Sequence, residues 1–327
     1  MFALVAMSTW HWVGFIACVL VFLALDLGVF HRRDHVVSFR EALTWSAIWF
    51  FLAMLFALGL KYLRDEKEAL QFVTGYTVEL SLSMDNVFVI ALIFAHFRIP
   101  AEYQHRVLYW GVLGALVMRG LMIGVGAALV ARIDWVLYVF GAFLLYSGGR
   151  MLFIKPDVHP ERSRVLHWVR KVCPVSPELD GHKFLTLWQG RRALTPLALV
   201  LVLIETSDLL FAVDSVPAVF AVTRKPYIVF TSNVFAILGL RSLYFVLAGA
   251  LGYFRYLKYG LPVVLAYMGV EMLLDPHDRQ PPLWFQVDVP TSISLMVVAG
   301  IFTISILLSV LAAAWEKRQG RQSPKLR

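Results

Sequence analysis

Apolar residues in this chain do not alternate as in a strand, nor keep to one stripe as on a soluble helix; they run on at about the 20-residue length that crosses a bilayer. Such runs lie near 10–30, 42–60, 69–97, 107–131, 135–154, 193–222, 228–251, 257–274 and 291–315. They predict an all-α, polytopic membrane protein of about nine transmembrane helices. Polar residues gather between the runs, and clusters of acids lie inside two of them. The third run contains Glu79-Leu-Ser-Leu-Ser83-Met-Asp85-Asn86-Val87, and the sixth contains Glu205-Thr-Ser-Asp208-Leu-Leu-Phe-Ala-Val-Asp214-Ser215-Val216-Pro217. A carboxylate at membrane depth costs several kcal/mol unless it is paired, protonated or bound to a cation. Five of them in two segments predict a cation pathway.

The two segments match residue by residue. Glu79, Asp85 and Asn86 fall on Asp208, Asp214 and Ser215 at an offset of 129. Downstream, Arg119 falls on Arg241 at an offset of 122, and Tyr146 and Met151 fall on Tyr267 and Met272 at 121. Each unit spans three predicted helices, an odd number, so the second copy is expected in inverted membrane orientation, with a midplane site between the two inverted three-helix repeats. The chain then divides into two peripheral helices (1–68), the first repeat (69–154), a basic cytoplasmic loop (155–192), the second repeat (193–275), and a last helix with a basic tail (276–327).

Composition agrees with a membrane protein: 59% of residues are hydrophobic, 16% are charged, and the mean hydropathy is +0.71. The net charge of +8 comes from Lys and Arg concentrated around 32–40, in the 155–192 loop and in the tail. By the positive-inside rule this places the N-terminus outside and the C-terminus in the cytoplasm, and removes any need to invoke nucleic acid. Within the loop, Val165, Leu166, Trp168, Val169 and Val172 share a face opposite basic residues, as on an interfacial helix against an anionic leaflet. Two cysteines, Cys18 and Cys173, leave no disulfide framework or thiolate metal site to expect.

On straight helices Glu79, Ser83 and Asn86 share one face and Asp85 points about 120° away; Asp208, Ser215 and Asp214 repeat that division. A break near Asp85 and Asp214 would let all the oxygens converge, and Pro217, which cannot donate to the carbonyl of Val213, favours one. The expected metal set is Glu79, Asp85, Asn86, Glu205, Asp208, Asp214 and Ser215, with Ser83 and Asn233 as possible additions and Arg119 and Arg241 offsetting charge. Asn233 is open between ligand and helix cap. Oxygen ligands without adjacent Cys or His suit Mn²⁺, Ca²⁺ or Mg²⁺ rather than Zn²⁺ or Cu⁺. Carboxylates sharing a site also couple naturally to protons.

The segments 79–89 and 205–223, with Ser232-Asn-Val-Phe-Ala-Ile-Leu-Gly-Leu-Arg-Ser-Leu-Tyr-Phe245, closely resemble the TerC family of bacterial integral membrane proteins, in particular its alkaline-inducible branch. The likeness covers about residues 10–315. It implies a multi-pass protein of the bacterial cytoplasmic (inner) membrane, in a family with members named for tellurium resistance and others linked to manganese export. An acidic site poorly suits the tellurite oxyanion, so the expected function is secondary transport that exports a divalent cation, most simply Mn²⁺, with the bilayer and the metal ion as partners. The alternative is a membrane partner or scaffold in metal or tellurite stress, holding a structural cation. No enzymatic activity or cofactor is expected: the Tyr-Asp and Gly-x-Gly-Asp motifs of intramembrane aspartyl proteases and His-Glu-x-x-His are absent.

Overall fold

The computed structural model describes residues 9–28, 38–133, 135–153, 164–248, 257–275, 286–287 and 289–318. A helix stands on each of the nine apolar stretches: α1 (Thr9–Gly28), α2 (Phe39–Leu63), α3 (Glu66–His96), α4 (Ala101–Arg132), α5 (Val136–Phe153), α7 (Pro196–Val222), α8 (Pro226–Ala248), α9 (Leu257–Leu274) and α10 (Thr291–Arg318). Seven of them, α2, α3, α4, α5, α7, α8 and α10, are long and apolar enough to cross a membrane; α1 and α9 contribute shorter apolar helices, Trp12–Leu23 and Tyr259–Leu274. Large side chains left exposed, among them Phe51, Leu55, Leu121, Val125, Leu307 and Leu311, suit a lipid-facing surface.

Helix ends follow local chemistry. Ser38 caps α2 by accepting from the Glu41 amide at 3.3 Å. The α3–α4 turn is a Schellman motif: Ile99 N–H donates to Phe94 O, Arg98 N–H donates to Ala95 O, and Arg98 takes φ 51°. Pro196 begins α7 in the first helical turn, where its missing N–H costs nothing.

One feature departs from the all-helical expectation in the 155–192 loop, of which residues 154–163 lie outside the described part. The amphipathic segment does form a helix, α6 (Arg164–Val172), with Leu166 buried and Trp168 and Val172 exposed. A two-stranded antiparallel hairpin then follows, β1 (Leu185–Trp188) paired with β2 (Arg191–Leu194), in the register Leu185 to Leu194 and Trp188 to Arg191. Gln189 and Gly190, at φ 50° and 73°, supply the left-handed pair that a two-residue hairpin turn needs. The hairpin takes Ala193 and Leu194 out of the segment assigned to the sixth helix.

The helices of the two units interleave: α5 lies against α9, α3 against α8, and α4 against α7, while α3 also meets α7 and α4 meets α8. The α5–α9 crossing is close enough for backbone contact. A Cβ on Gly141 would lie 3.0 Å from the Gly269 carbonyl oxygen, and one on Gly148 would lie 2.7 Å from that of Pro262. Small residues let membrane helices approach this way. Three apolar clusters meet at mid-α3, around Val78 and Leu82, around Phe72 and Tyr76, and around Val87 and Ile90. The polar residues of α3 lie at that junction.

Candidate functional site

Both α3 and α7 are continuous helices, the latter running through Pro217. The expected break is therefore absent, and the motif residues stay divided over two faces. One face of each converges. Glu79 and Asn86 from α3, Arg119 from α4, Asp208 and Ser215 from α7 and Asn233 from α8 form a single buried cluster, none more than 8% exposed.

Arg119 is its centre. Its Nη1 donates to Glu79 Oε2 at 2.5 Å, its Nη2 to Asp208 Oδ1 at 3.1 Å, and its Nε to Asp208 Oδ2 at 3.3 Å. Nη1 also lies 3.4 Å from Ser215 Oγ and from Asn233 Oδ1. The amides complete the carboxylate shells: Asn233 Nδ2 donates to Glu79 Oε1 at 2.6 Å, and Asn86 Nδ2 donates to Asp208 Oδ1 at 3.1 Å. A guanidinium desolvated to this degree is held by two carboxylates whose own burial is tolerable only because it is there.

Asn233 thus lies inside α8 and serves the carboxylate cluster, which settles its role against a helix cap. Ser83 is buried on the same face of α3. The remaining acids are elsewhere. Asp214 accepts from Ser147 Oγ of α5 at 2.7 Å. Asp85 has no hydrogen-bond or ion-pair partner among the described residues and is half-buried. The carboxylate of Glu205 rests on the backbone of α4 at Gly114, where a Cβ would overlap it. Arg241 lines a small cavity with Ala42, Trp45 and Trp49 of α2, while the bonds to Glu79 and Asp208 come from Arg119, Asn86 and Asn233. One guanidinium fills the space between the two carboxylates, and α2 lies against α8 on the other side. The seven expected metal-site residues are therefore not one shell. Among the described residues no three His, Cys, Asp or Glu side chains are grouped as a metal centre.

Some polar residues escaped the sequence reading. Ser147 resembles any small residue of an apolar helix until its distance to Asp214 is known. Glu68 is 1% exposed at the start of α3, where it accepts from Arg64 Nε at 2.6 Å and from Lys225 Nζ at 2.7 Å, tying α3 to the α7–α8 turn. Its position just before an apolar run gives no local sign of that tie.

Comparison with known proteins agrees with the residues. The chain is 48% identical over 316 residues to the "Uncharacterized membrane protein STKORF319" of Myxococcus xanthus, covering 96% of each chain. It is 42% identical over 308 residues to the "Putative membrane-bound redox modulator Alx" of Escherichia coli (strain K12), covering 91% of this chain and 93% of that one. A membrane protein of Rickettsia felis is 35% identical over 301 residues, covering 92% and 97%. No solved structure matches. The profile of the integral membrane protein TerC family matches residues 64–319, and with relatives this similar along nearly their whole length, the chain belongs to the TerC family of integral membrane proteins.

Proposed function

We propose that this protein is a secondary transporter that exports a divalent cation, Mn²⁺ before Ca²⁺ or Mg²⁺, from the cytoplasm across the bacterial inner membrane, in exchange for protons. One observation carries the reading: Glu79 and Asp208, at matched positions of two three-helix units, are buried face to face and share one guanidinium, that of Arg119. In that arrangement Arg119 is a tethered cation. A mobile cation that binds these carboxylates must displace it, which couples ion binding to movement of α4 against α3 and α7. The acids are oxygen donors, as Mn²⁺ prefers.

Inverted repeats within nine spans, N-terminus outside and C-terminus inside, supply the rest of the proposal. The helix pairing supports it, because first helices meet second helices of the opposite unit and third helices meet each other. The 121-residue offset maps Gly141 onto Pro262 and Gly148 onto Gly269, so it exchanges the two close approaches Gly141–Gly269 and Gly148–Pro262, as a pseudo-two-fold axis between α5 and α9 requires. Alternating access then follows from rocking one unit against the other.

The test is Mn²⁺ flux in proteoliposomes under an imposed pH gradient, comparing wild type with Asp208→Asn and Asp85→Asn. Flux that Asp208→Asn abolishes supports the proposal. Silence of wild type toward Mn²⁺, Ca²⁺ and Mg²⁺ alike defeats it. The second reading, a membrane partner for stress-response proteins with a structural cation, draws on the surface of α6 and the hairpin, which exposes Trp168, Val172, Leu185 and Leu187 beside basic residues. The redox role in the name of the Escherichia coli relative would find only two cysteines here, Cys18 in α1 and Cys173 after α6, both free.

A further inference from the structure

Outside the spans, one surface leaves large apolar side chains in the open. On the hairpin, Leu185, Leu187, Arg192 and Leu194 share a face, because side chains alternate along a strand and Leu187 pairs with Arg192. Leu185 is 59% and Leu187 76% exposed there, with Arg192 exposed beside them. The opposite face is spent within the protein: Ala193 is buried, and Thr186 Oγ1 donates to Asp180 Oδ2 at 2.8 Å. On α6 the helical repeat puts Trp168, Lys171 and Val172 on one exposed face. The single apolar face expected of that segment is thus divided. Leu166 and Val169 pack inward in one cluster with Ile93, Leu197 and Val200, while Trp168 and Val172 turn away.

This surface is held at the end of the helix bundle. Ile93 lies in the last turn of α3 and Leu197 in the first turn of α7, and a single residue, Thr195, separates β2 from α7. Four residues of strand reach no farther than about 13 Å from that point. Backbone bonds fix the base of the hairpin: Ser176 N–H donates to Leu194 O at 2.8 Å, Leu194 N–H to Pro174 O at 2.9 Å, and Thr195 N–H to Phe184 O at 3.0 Å. The guanidinium of Arg106, from α4, lies over the Phe184 ring, 5.5 Å from its centroid. The exposed leucines are therefore kept near the bilayer surface that α3 and α7 reach here.

Charge decides what covers them. Residues 164–195 hold Arg164, Arg170, Lys171, Lys183, Arg191 and Arg192 against two acids, Glu178 and Asp180, and Asp180 is already paired with Lys183 at 3.2 Å. Arg170, Lys171, Arg191 and Arg192 are exposed. So cationic a face repels a second copy of itself. Apolar side chains interleaved with cations beside a bilayer suit an anionic leaflet: the apolar groups enter the acyl boundary, and the long basic stems carry their charges back to the phosphates.

We propose that the hairpin and the outward face of α6 form a seat for anionic lipid headgroups, with Leu185, Leu187 and Trp168 in the leaflet and Lys171, Arg191 and Arg192 on the phosphates. The seat is independent of transport, since it concerns only the bilayer surface. It takes the surface on which the second reading places a protein partner, and so competes with that reading.

The experiment puts a nitroxide spin label at position 187, through Leu187→Cys in the full-length chain carrying Cys18→Ser and Cys173→Ser. The chain is held in nanodiscs of phosphatidylcholine, with or without phosphatidylglycerol. Collisions of the label with oxygen, which concentrates among acyl chains, are compared with collisions with a water-soluble nickel chelate. In anionic discs the label is expected to meet chiefly oxygen. In neutral discs, or with Arg191→Gln and Arg192→Gln added, the ratio of inserted to withdrawn label is expected to fall by at least about tenfold. A label at position 168, through Trp168→Cys, is read in the same way and decides the matter should the labelled hairpin not fold. A label that meets the nickel chelate equally in both lipids overturns the seat. Insertion as deep in neutral as in anionic discs overturns the anionic partner. A label shielded from both reagents in every lipid marks a face covered by protein, and overturns the seat as well.

Discussion

Replacing Arg119 by Gln tests the account of the buried cluster most directly. The side chain is 2% exposed and donates three charge-assisted bonds, one to Glu79 and two to Asp208. Removing it strands two carboxylates, one wholly buried and one 8% exposed. In soluble proteins, deleting one partner of a buried ion pair costs about 3–5 kcal/mol. Within membranes single hydrogen bonds reach only ~1.7 kcal/mol, because the unfolded chain in the bilayer also finds partners. Two ion pairs at that lower rate still sum to about 3 kcal/mol, so the expected loss is ~2–5 kcal/mol at neutral pH. Reversible unfolding in bicelles measures it. The cause is stranded charge rather than lost volume, so adding Glu79→Gln and Asp208→Asn to the Arg119→Gln chain is expected to recover most of the loss. Mn²⁺ at a hundred times its dissociation constant is expected to return about 2.7 kcal/mol to the single variant by mass action. A single variant destabilised by less than about 1 kcal/mol, or a triple variant no better than the single, refutes the reasoning.

Three further outcomes follow from the geometry. Arg98 holds the left-handed position of the Schellman turn, so Arg98→Gly is expected to stabilise the chain by ~0.5–1 kcal/mol in the same unfolding assay. Gly269→Leu places a Cβ 2.8 Å from the Gly141 carbonyl oxygen and from Leu145 N, backbone atoms that cannot rotate away; a loss of at least ~3 kcal/mol, or failure to fold, is expected, and wild-type stability would contradict the α5–α9 contact. Asp180, outside the spans, accepts from Thr186 Oγ1 and Lys183 Nζ, which hold its carboxyl below the usual range. Its support to the 180–186 turn is therefore present above the ordinary aspartate pKa and is lost as pH falls through the depressed one; hydrogen exchange at β1 is expected to accelerate there in wild type and to be insensitive to that step in Asp180→Asn.

The amino-acid order alone determined the helices, the two matched segments and the presence of charge at Glu79, Asp208 and Arg119 inside apolar helices, because each signal is local: run length, fixed spacing, or charge where charge is costly. It also placed Asp85 and Asp214 on a separate face, since a straight helix advances by 100° per residue. The expectation that Pro217 would break the helix and bring every acid together failed because a proline inside a membrane helix can be accommodated by its neighbours, and α7 remains continuous. Three things were decided only in three dimensions. Arg119 rather than Arg241 stands between the carboxylates, since one guanidinium fills that space and α2 lies against α8. Asn233 turned out to complete the Glu79 shell from 154 residues away, a partnership that no local pattern encodes. Gly111, one small residue among many in an apolar helix, lines a small cavity beside Asn86 and Asp208 that no local pattern announces. Burial sets the energetic stakes of a charge from its own sequence neighbourhood, whereas its partner depends on how distant helices cross.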